Sequence, residues 1–245
     1  MTKSDIQNTV HKYLAYIMNC AITDFSRDAT TFSISRHKDP FVKIVICGNS
    51  IVVSASSRLH SKIVALLQNK NRDELFECPL VYGQTIHYVP DPTRINEPDL
   101  PLAYTYSLFQ GEDIYKLSHI AGFDNSLVFD DKGKTNSTIA FLAFRDKAVV
   151  AVASACPAYD NLWEIGIDVM PPYRNNGLAT AMTQKLTYEI IRKGVVPFYS
   201  ASITNIGSQM VATRAGYIPY WVDSWGNILD DYYPYNIDSI KFPQK

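Results

Sequence analysis

The clearest pattern of hydrophobic and polar positions lies in the second half of the chain. Residues 162–169 alternate between an apolar face and a face that carries Glu164, and this period of two predicts a strand. Two prolines follow, and from Gly177 apolar residues recur every four positions until Gly194, which predicts a helix. The first amide groups of such a helix have no partner within it, so the turn before it is a candidate phosphate site.

The same reading extends over the rest of the second half. A hairpin is predicted around 145–147, where two apolar runs of β character meet. Further elements are predicted as a strand at 104–109, a short helix near 112–118, strands at 138–144, 148–155 and 196–202, and a helix at 208–215. Antiparallel strands followed by strand, helix, strand and helix indicate an α/β or α+β core, with a ligand expected where strands diverge at their carboxyl ends.

The first third of the chain predicts a separate, smaller α+β unit. Ser4 and Gln7 have the spacing of a capping box before a helix, and Gly48 with Asn49 marks a tight hairpin. The other predicted elements are strands at 31–35, 42–47 and 51–54 and a helix capped by Ser56 or Ser57. Four prolines between residues 90 and 101 are typical of an exposed linker, so we predict an N-terminal domain at 1–95 and a second domain at 102–245.

Composition excludes several classes of function. The 245 residues carry a formal net charge of −1, which provides no general attraction to nucleic acid or to an acidic membrane. The histidines have no paired ligand spacing, and neither a GxSxG motif nor a P-loop occurs. No targeting segment or membrane span is evident, so we expect a cytoplasmic protein. The spacings of the histidines and cysteines also lead us to expect no bound metal. The four cysteines are too widely spaced for a zinc cluster or a disulfide framework: Cys20, Cys47, Cys78 and Cys156.

One motif resembles a known family. The run RNNGLA at residues 174–179 has the spacing of the pyrophosphate loop of the GNAT acetyltransferases, and it stands between a predicted strand and a predicted helix. The next strand, the Asn205 that follows it, and the Gly-Tyr pair at 216–217 resemble the continuation of that fold. The resemblance runs from about residue 104 to the C-terminus. It implies a GNAT-like mixed sheet flanked by helices, preceded here by the smaller α+β domain.

The resemblance also implies acetyl-CoA as co-substrate and a set of residues that bind it. Arg174 then contacts phosphate, although a solvated loop cation is the alternative, and Asn205 contacts CoA unless it only caps the next helix. Gly177 permits close approach of the main chain to a diphosphate. The implied binding residues are Ile167, Asp168, Val169, Arg174, Asn175, Asn176, Gly177, Leu178, Ala179, Thr180, Asn205 and Ser208.

Acyl transfer to an amine requires a base, because a protonated amine cannot attack a thioester. Glu164 is the best candidate, since it matches the strand glutamate that serves as base in many relatives; the alternative is a structural carboxylate. Many relatives use a tyrosine on the last helix to protonate the departing thiolate, but this chain has Ala212 there. Tyr217, Tyr199 or a water molecule remain as candidates.

We therefore predict an acyl-CoA-dependent N-acyltransferase, most simply one that transfers acetyl by direct attack of a small-molecule or peptide amine. Two alternatives stay open: a non-catalytic acyl-CoA-binding module, and a protein acetyltransferase that docks its target through the N-terminal domain. The chain is expected to be a monomer or a homodimer. The aromatic tail at 217–235, which includes Trp221, Trp225, Tyr232 and Tyr233, either lines an acceptor pocket or packs as a final hairpin.

Overall fold

The computed structural model describes residues 1–38, 40–80 and 83–228. The first part of the chain contains three helices and four strands. In chain order these are α1 (Lys3–Met18), β1 (Thr30–Ser35), β2 (Phe41–Cys47), β3 (Ser50–Ser56), α2 (Ser57–Leu67), α3 (Arg72–Phe76) and β4 (Gln84–Pro90). A short 3-10 helix, Ile22–Ser26, lies between α1 and β1.

The second part of the chain alternates strands with two further helices. In chain order the elements are β5 (Thr105–Gln110), β6 (Ile139–Arg145), β7 (Ala148–Tyr159), β8 (Leu162–Val169), α4 (Leu178–Arg192), β9 (Val196–Ser202), α5 (Ile206–Arg214), β10 (Tyr217–Ser224) and β11 (Asn227–Ile228). Two 3-10 helices, Gly111–Leu117 and Pro171–Tyr173, complete this part. The strands and helices predicted between residues 104 and 215 are all present, within a few residues of the predicted bounds.

The chain forms two compact units, and neither is one continuous stretch. The larger unit contains Met1–Thr9 and His87–Pro219, and the smaller unit contains Val10–Ile86 and the described residues from Tyr220 onwards. The proline-rich stretch lies inside the larger unit, where the Asp91 amide donates to the carbonyl of Gly216. The predicted domains, 1–95 and 102–245, were expected to fold independently of each other, and this stays a prediction.

The smaller unit is an α+β layer. β1 pairs in parallel with β3, β3 pairs antiparallel with β2, and β2 pairs antiparallel with residues 221–223 of β10. The predicted two-residue hairpin is confirmed, because Cys47 pairs with Ser50 and Gly48 has a φ of 57°. The apolar face of β2 and β3 packs against α2 and α3 through Ile44, Val53, Ile63, Leu67 and Leu75, each at most 1% exposed.

Both helix caps predicted in the first third need correction. The capping box of α1 uses Thr2 and Asp5: the Thr2 amide donates to Asp5 Oδ2 at 2.7 Å, and the Asp5 amide donates to Thr2 Oγ1 at 3.2 Å. Ser4 and Gln7 lie inside the helix, because it begins at Lys3. Ser56 precedes α2 without a capping bond, since its hydroxyl accepts from the Phe41 amide.

The larger unit is built on a mixed sheet in the order β5-β6-β7-β8-β9-β4. The strands from β5 to β8 pair antiparallel, and β8 pairs in parallel with β9. The predicted hairpin between β6 and β7 is present, and Asp146 and Lys147 at its tip have positive φ angles of 49° and 69°. β4, which ends at a proline, was not predicted.

Helices cover both faces of this sheet. α4 packs on β7, β8 and β9, and α5 packs on α4 and β9. The segment from Gly111 to residue 129 covers the opposite face, where Ile114, Leu117, Phe123 and Leu127 pack on Leu142 and Val152. The structure therefore has the mixed sheet flanked by helices that was predicted. Among the described residues no helix is long and apolar enough to cross a bilayer, and no three metal-ligating side chains cluster.

Candidate functional site

The main cavity of the larger unit lies where two parallel strands diverge. β8 and β9 pair only from Leu162 to Ile165, although β8 continues to Val169 and β9 to Ser202. A cavity of about 780 Å³ opens at this point. All thirteen predicted site residues line it: Glu164, Ile167, Asp168, Val169, Arg174, Asn175, Asn176, Gly177, Leu178, Ala179, Thr180, Asn205 and Ser208. The structure thus brings the predicted set together, while their roles in binding and catalysis stay predictions.

The divergence leaves main-chain donors of β8 facing the cavity. The Met170 amide donates to the carbonyl of Val150 on β7 at 2.9 Å. Because hydrogen bonding alternates along an antiparallel ladder, Val169 and Ile167 direct their polar groups away from β7. The Val169 carbonyl accepts from Arg174 Nε at 2.8 Å, which agrees with that direction. The amides of Ile167 and Val169 therefore point to the side where β9 no longer pairs with β8.

The turn before α4 has the conformation that its glycine allows. Gly177 is the N-cap, with a φ of +85°, and a Cβ at this position would meet nothing within 4 Å. Side chains other than glycine and asparagine rarely adopt this left-handed conformation. The glycine therefore gives the turn its shape and leaves its outer side open.

Three amide groups at this turn have no partner within the described residues. The Ala181 amide donates to the Gly177 carbonyl at 3.1 Å, and the Leu178 amide donates to Asn176 Oδ1 at 3.2 Å. The amides of Gly177, Ala179 and Thr180 remain, and all three residues line the cavity. A phosphate seated here would receive several hydrogen bonds at the positive end of the helix dipole. The turn therefore fits a diphosphate.

Side chains around the turn hold it in place. Asn176 Nδ2 donates to the Tyr104 hydroxyl at 2.7 Å, and the Tyr104 ring lies edge-on to Tyr173 at a centroid distance of 6.2 Å. Arg174 is anchored through Nε to Val169, and within the described ranges no carboxylate pairs with it. Its terminal nitrogens are thus available to an anion.

Asp168 has a local structural role. Its carboxylate accepts from the Asn125 amide at 2.8 Å, from Asn125 Nδ2 at 2.7 Å and from the Ser126 hydroxyl at 3.0 Å. The loop that provides these donors crosses β8 so closely that a Cβ on Gly166 would overlap the Asn125 carbonyl oxygen. The Asp168 side chain therefore fixes this loop, and by the alternation described above its main chain faces β7, so its contact with CoA stays a prediction.

Glu164 occupies the same face of β8. It is half-buried and stands opposite Cys156 of β7 and Phe198 of β9. Within the described part of the chain its carboxylate makes no hydrogen bond or ion pair, so it has no structural partner there. Burial first, and the Glu164 charge second, raise the pKa of the Cys156 thiol above its ordinary value. This effect of its charge indicates that the carboxylate lies near the sulfur.

Asn205 and Ser208 both make local hydrogen bonds. Asn205 Oδ1 accepts from the Ser208 amide at 3.1 Å and so caps α5, as the alternative reading of this residue predicted. The Ser208 hydroxyl lies 2.8 Å from the hydroxyl of Tyr199, which lines the cavity from β9. Burial raises the pKa of Tyr199, and the bond to Ser208 partly opposes this.

The residues considered for thiolate protonation occupy different environments. Ala212 is fully buried and has no polar group. Tyr217 is also fully buried, its hydroxyl lies 2.6 Å from that of Thr187, and neither of these two residues lines the cavity. Among the tyrosines that were considered, Tyr199 is the one that lines the cavity.

Several cavity residues were missed by sequence reasoning. Asn125 and Ser126 lie in an irregular loop with no periodic pattern, so no sequence signal marked them. Ser154 and Ser200 lie within predicted strands, and Cys156 lies one residue beyond the predicted end of β7. Their positions relative to Glu164 depend on strand register. Arg214 also lines the cavity and brings a second cation to it.

Only part of the aromatic tail can be described, because the described residues end at residue 228. Trp221 is 2% exposed and Tyr217 is fully buried, so these two are packed core residues. Trp225 is 53% exposed, and a Cβ on Gly83 would overlap its ring. Tyr232, Tyr233 and Tyr235 lie outside the described residues.

Comparison with known proteins agrees with this geometry. A sequence model of the family described as GNAT acetyltransferase matches residues 120–220, and this match confirms the predicted resemblance for that part of the chain. The matched segment contains β8, the turn before α4, β9 and α5. No curated protein sequence matches the chain.

Solved structures with similar folds are distant from this chain. A GNAT-family putative acetyltransferase of Novosphingobium aromaticivorans has 15% identity over 58% of this chain, with a TM-score of 0.45, and this chain spans 63% of its length. A GCN5-related N-acetyltransferase-like protein of Streptococcus suis has 18% identity over 76% of this chain and 84% of its own, with a TM-score of 0.47. A GNAT-family acetyltransferase of Colwellia psychrerythraea has 11% identity over 89% and 71%, with a TM-score of 0.45. Likenesses of this size say nothing about substrate.

Proposed function

We propose that the protein is an acyl-CoA-dependent N-acyltransferase that transfers acetyl from acetyl-CoA to an amine. One observation carries the proposal: three unpartnered amides at the start of α4, those of Gly177, Ala179 and Thr180, line the cavity that opens where β8 and β9 diverge. An anion-binding helix start beside a pair of diverging strands suits a long ligand with a diphosphate at one end and a reactive group at the other.

The protein binds acetyl-CoA, the acyl donor, at its diphosphate and then along its pantetheine arm to the thioester. The three amides and the free nitrogens of Arg174 bind phosphate oxygens, and the open space beside Gly177 lets the main chain approach them. The amides of Ile167 and Val169 extend along the diverging edge of β8. They hydrogen-bond the pantetheine arm and the thioester oxygen, which gains negative charge during attack.

Glu164 acts on the acceptor. Its half-buried carboxylate has no partner within the described residues, so it is available to attract a protonated amine and to remove a proton from it. Removal of this proton frees the nitrogen lone pair, which then attacks the thioester carbon. The absence of a hydrogen bond to Glu164 within the described chain supports this role over that of a structural carboxylate.

The departing thiolate needs little help. Burial raises the pKa of Tyr199, so its hydroxyl keeps its proton near neutral pH and donates a hydrogen bond rather than the proton itself. We therefore assign stabilisation of the leaving sulfur to Tyr199 and its protonation to water, because a thiolate is a tolerable leaving group near neutral pH.

A non-catalytic acyl-CoA-binding module is the second candidate, and Ala212 favours it. A buried methyl group stands where many GNAT enzymes carry the tyrosine that acts as general acid. The two candidates agree on CoA binding and differ on turnover.

The deciding experiment measures release of free CoA. The full chain is mixed with acetyl-CoA and a panel of amines: a primary alkylamine, a polyamine, an aminoglycoside, free lysine and a peptide with a free N-terminus. Thiol release that depends on one of these amines supports the enzyme. Calorimetric binding of acetyl-CoA without release from any of them supports the binding module, and absence of binding contradicts both.

A further inference from the structure

A serine and a histidine form a hydrogen-bonded pair beside the cavity. Ser200 is the first residue of β9 beyond its last pairing with β8, and it lines the cavity. Its hydroxyl oxygen lies 2.8 Å from Nδ1 of His87, which projects from β4 and is 9% exposed. Both residues belong to the larger unit. The pair has no signature in the sequence, since 112 residues separate its members along the chain.

Strand register places this pair on the face of Glu164. Glu164 stands opposite Phe198 on β9, and side chains two residues apart on a strand share a face. Ser200 therefore lies on the face of Phe198 and of Glu164. The His87 ring, 6.0 Å from the Phe198 ring, agrees with this placement. Tyr199 projects from the other face, where it meets Ser208 of α5.

Amide formation calls for a second proton acceptor on this face, besides Glu164. An ammonium nitrogen that ends as an amide gives up two protons: one before attack, and one from the tetrahedral adduct that attack creates. A single carboxylate holds one proton at a time. If Glu164 still holds the first proton when the adduct forms, the second proton needs another acceptor within hydrogen-bond reach of the reacting nitrogen.

We propose that Ser200 and His87 form a relay that accepts this second proton. The N–H bond of the adduct breaks and its electron pair stays on nitrogen, while the proton moves to Ser200 Oγ. The O–H bond of Ser200 breaks in the same step, and its proton moves to Nδ1 of His87. The imidazolium returns the proton to water after the product leaves. Ser200 is the catalytic residue, and His87 positions its hydroxyl and holds the proton. The relay rests on the proposed acyl transfer.

The relay is tested by single and double variants of the full chain, assayed with acetyl-CoA and an amine that gives turnover. Ser200→Ala and His87→Gln should each lower kcat by about a hundredfold, with KM for acetyl-CoA unchanged. The double variant should lose no more than either single one, because the two residues act as a unit. Ser200→Thr keeps a hydroxyl and should restore most of the rate. His119→Gln, at an exposed histidine outside the cavity, is the matched control.

A structural role would give a different result. If the pair only braces β4 against β9, Ser200→Ala should change KM and melting temperature as much as kcat, Ser200→Thr should not restore the rate, and losses should add in the double variant. Any of these outcomes overturns the relay. Unchanged kcat in Ser200→Ala also overturns it while leaving the acyltransferase proposal intact. That proposal fails separately, if the unmodified chain releases no CoA with any amine.

Discussion

The carboxylate of Asp168 accepts two hydrogen bonds from Asn125, one from the backbone amide at 2.8 Å and one from the side-chain amide at 2.7 Å. These bonds hold the 125–126 loop across β8 next to Gly166, and Ser154 of β7 donates to the Ser126 carbonyl. The loop covers the face that carries Glu164. A wall of the cavity therefore depends on one carboxylate and on the missing side chain of one glycine.

Gly166→Ala should destabilise the protein and displace this loop. The new Cβ would overlap the Asn125 carbonyl and lie 2.9 Å from the Ser126 Cα, and neither atom belongs to a flexible side chain. Overpacking of this kind costs about 1–3 kcal/mol, measured as the change in the free energy of unfolding by denaturant titration. Gly207→Ala is the control, because its Cβ would meet Asn205 Oδ1 at an ordinary 3.8 Å. Equal stability of the two variants would contradict the close approach.

Gly177→Val should reduce affinity for acetyl-CoA by roughly tenfold or more, because the side chain obstructs the diphosphate and strains the turn. Calorimetry measures the affinity, and the gain in melting temperature with ligand should shrink in parallel. Gly194→Val is a matched control at the other end of α4, where φ is +77° and no atom lies within 4 Å of the new Cβ. It should bear the same backbone strain and keep full affinity. Equal losses of affinity in both variants would show that the turn before α4 has no specific role in binding acetyl-CoA.

Glu164→Gln should lower the acyl-transfer rate by roughly a hundredfold to ten-thousandfold while acetyl-CoA still binds. Glutamine keeps the shape of the side chain but cannot accept the proton of the amine. The deficit should shrink as pH rises, because more of the amine then arrives deprotonated. Steady-state rates between about pH 6 and pH 9 with the peptide amine measure this trend, because that window spans the titration of an α-amino group. The same loss at every pH, together with a lower melting temperature, would identify a structural carboxylate.

Glu164→Gln should also make Cys156 react faster with iodoacetamide. Burial is the main reason that the pKa of this thiol is raised, and the negative charge of Glu164 adds to it. Removal of the charge lowers the pKa, so a larger fraction of thiolate is present at a given pH and alkylation speeds up. Mass spectrometry of tryptic peptides follows each cysteine. Cys20, whose pKa is raised to about 12 by burial and Asp24, is the internal reference. An unchanged Cys156 rate would mean that Glu164 is distant or uncharged.

Limited trypsin treatment of the full chain tests the predicted boundary between residues 95 and 102. Arg94 is exposed and lies outside any helix or strand, so cleavage after it should be among the earliest events. The stretch is tethered, because Glu97 pairs with Lys185 of α4. The two fragments should nevertheless elute together in gel filtration, because β4 of the first fragment lies beside β9 of the second in the sheet. Arg94→Gln should remove the cut, and an intact stretch in the unmodified chain would contradict the exposed linker.

Much of the larger unit was predictable because its signals are local. The period of two over 162–169 predicted the bounds of β8, and the spacing of four after Gly177 predicted α4. The RNNGLA turn was recognisable because its glycine, its position between strand and helix and its following alanine all match one motif of a known family. These features depend on neighbouring residues, so the sequence contains them directly.

The features that were not predicted depend on strand register and on which residue caps a helix. Thr2 replaced Ser4 at the start of α1 because Asp5 forms the reciprocal bonds two residues earlier than predicted. The partners of Asp168 and Ser200 come from Asn125 and His87, which are 43 and 113 residues away along the chain. Such pairings are set by which strands become neighbours. A single sequence does not reveal that choice, so the acceptor side of the cavity was beyond prediction.

The divergence of β8 and β9 affects which substitutions this fold can accept. A strand pair that stops halfway leaves main-chain donors without partners, and extending the pairing so that Ile167 and Val169 bond to the outer half of β9 would add those bonds back. Substitutions that favour such pairing would make the unliganded protein more robust and fill the place of the ligand. Greater stability of the unliganded protein and room for a ligand therefore pull this gap in opposite directions.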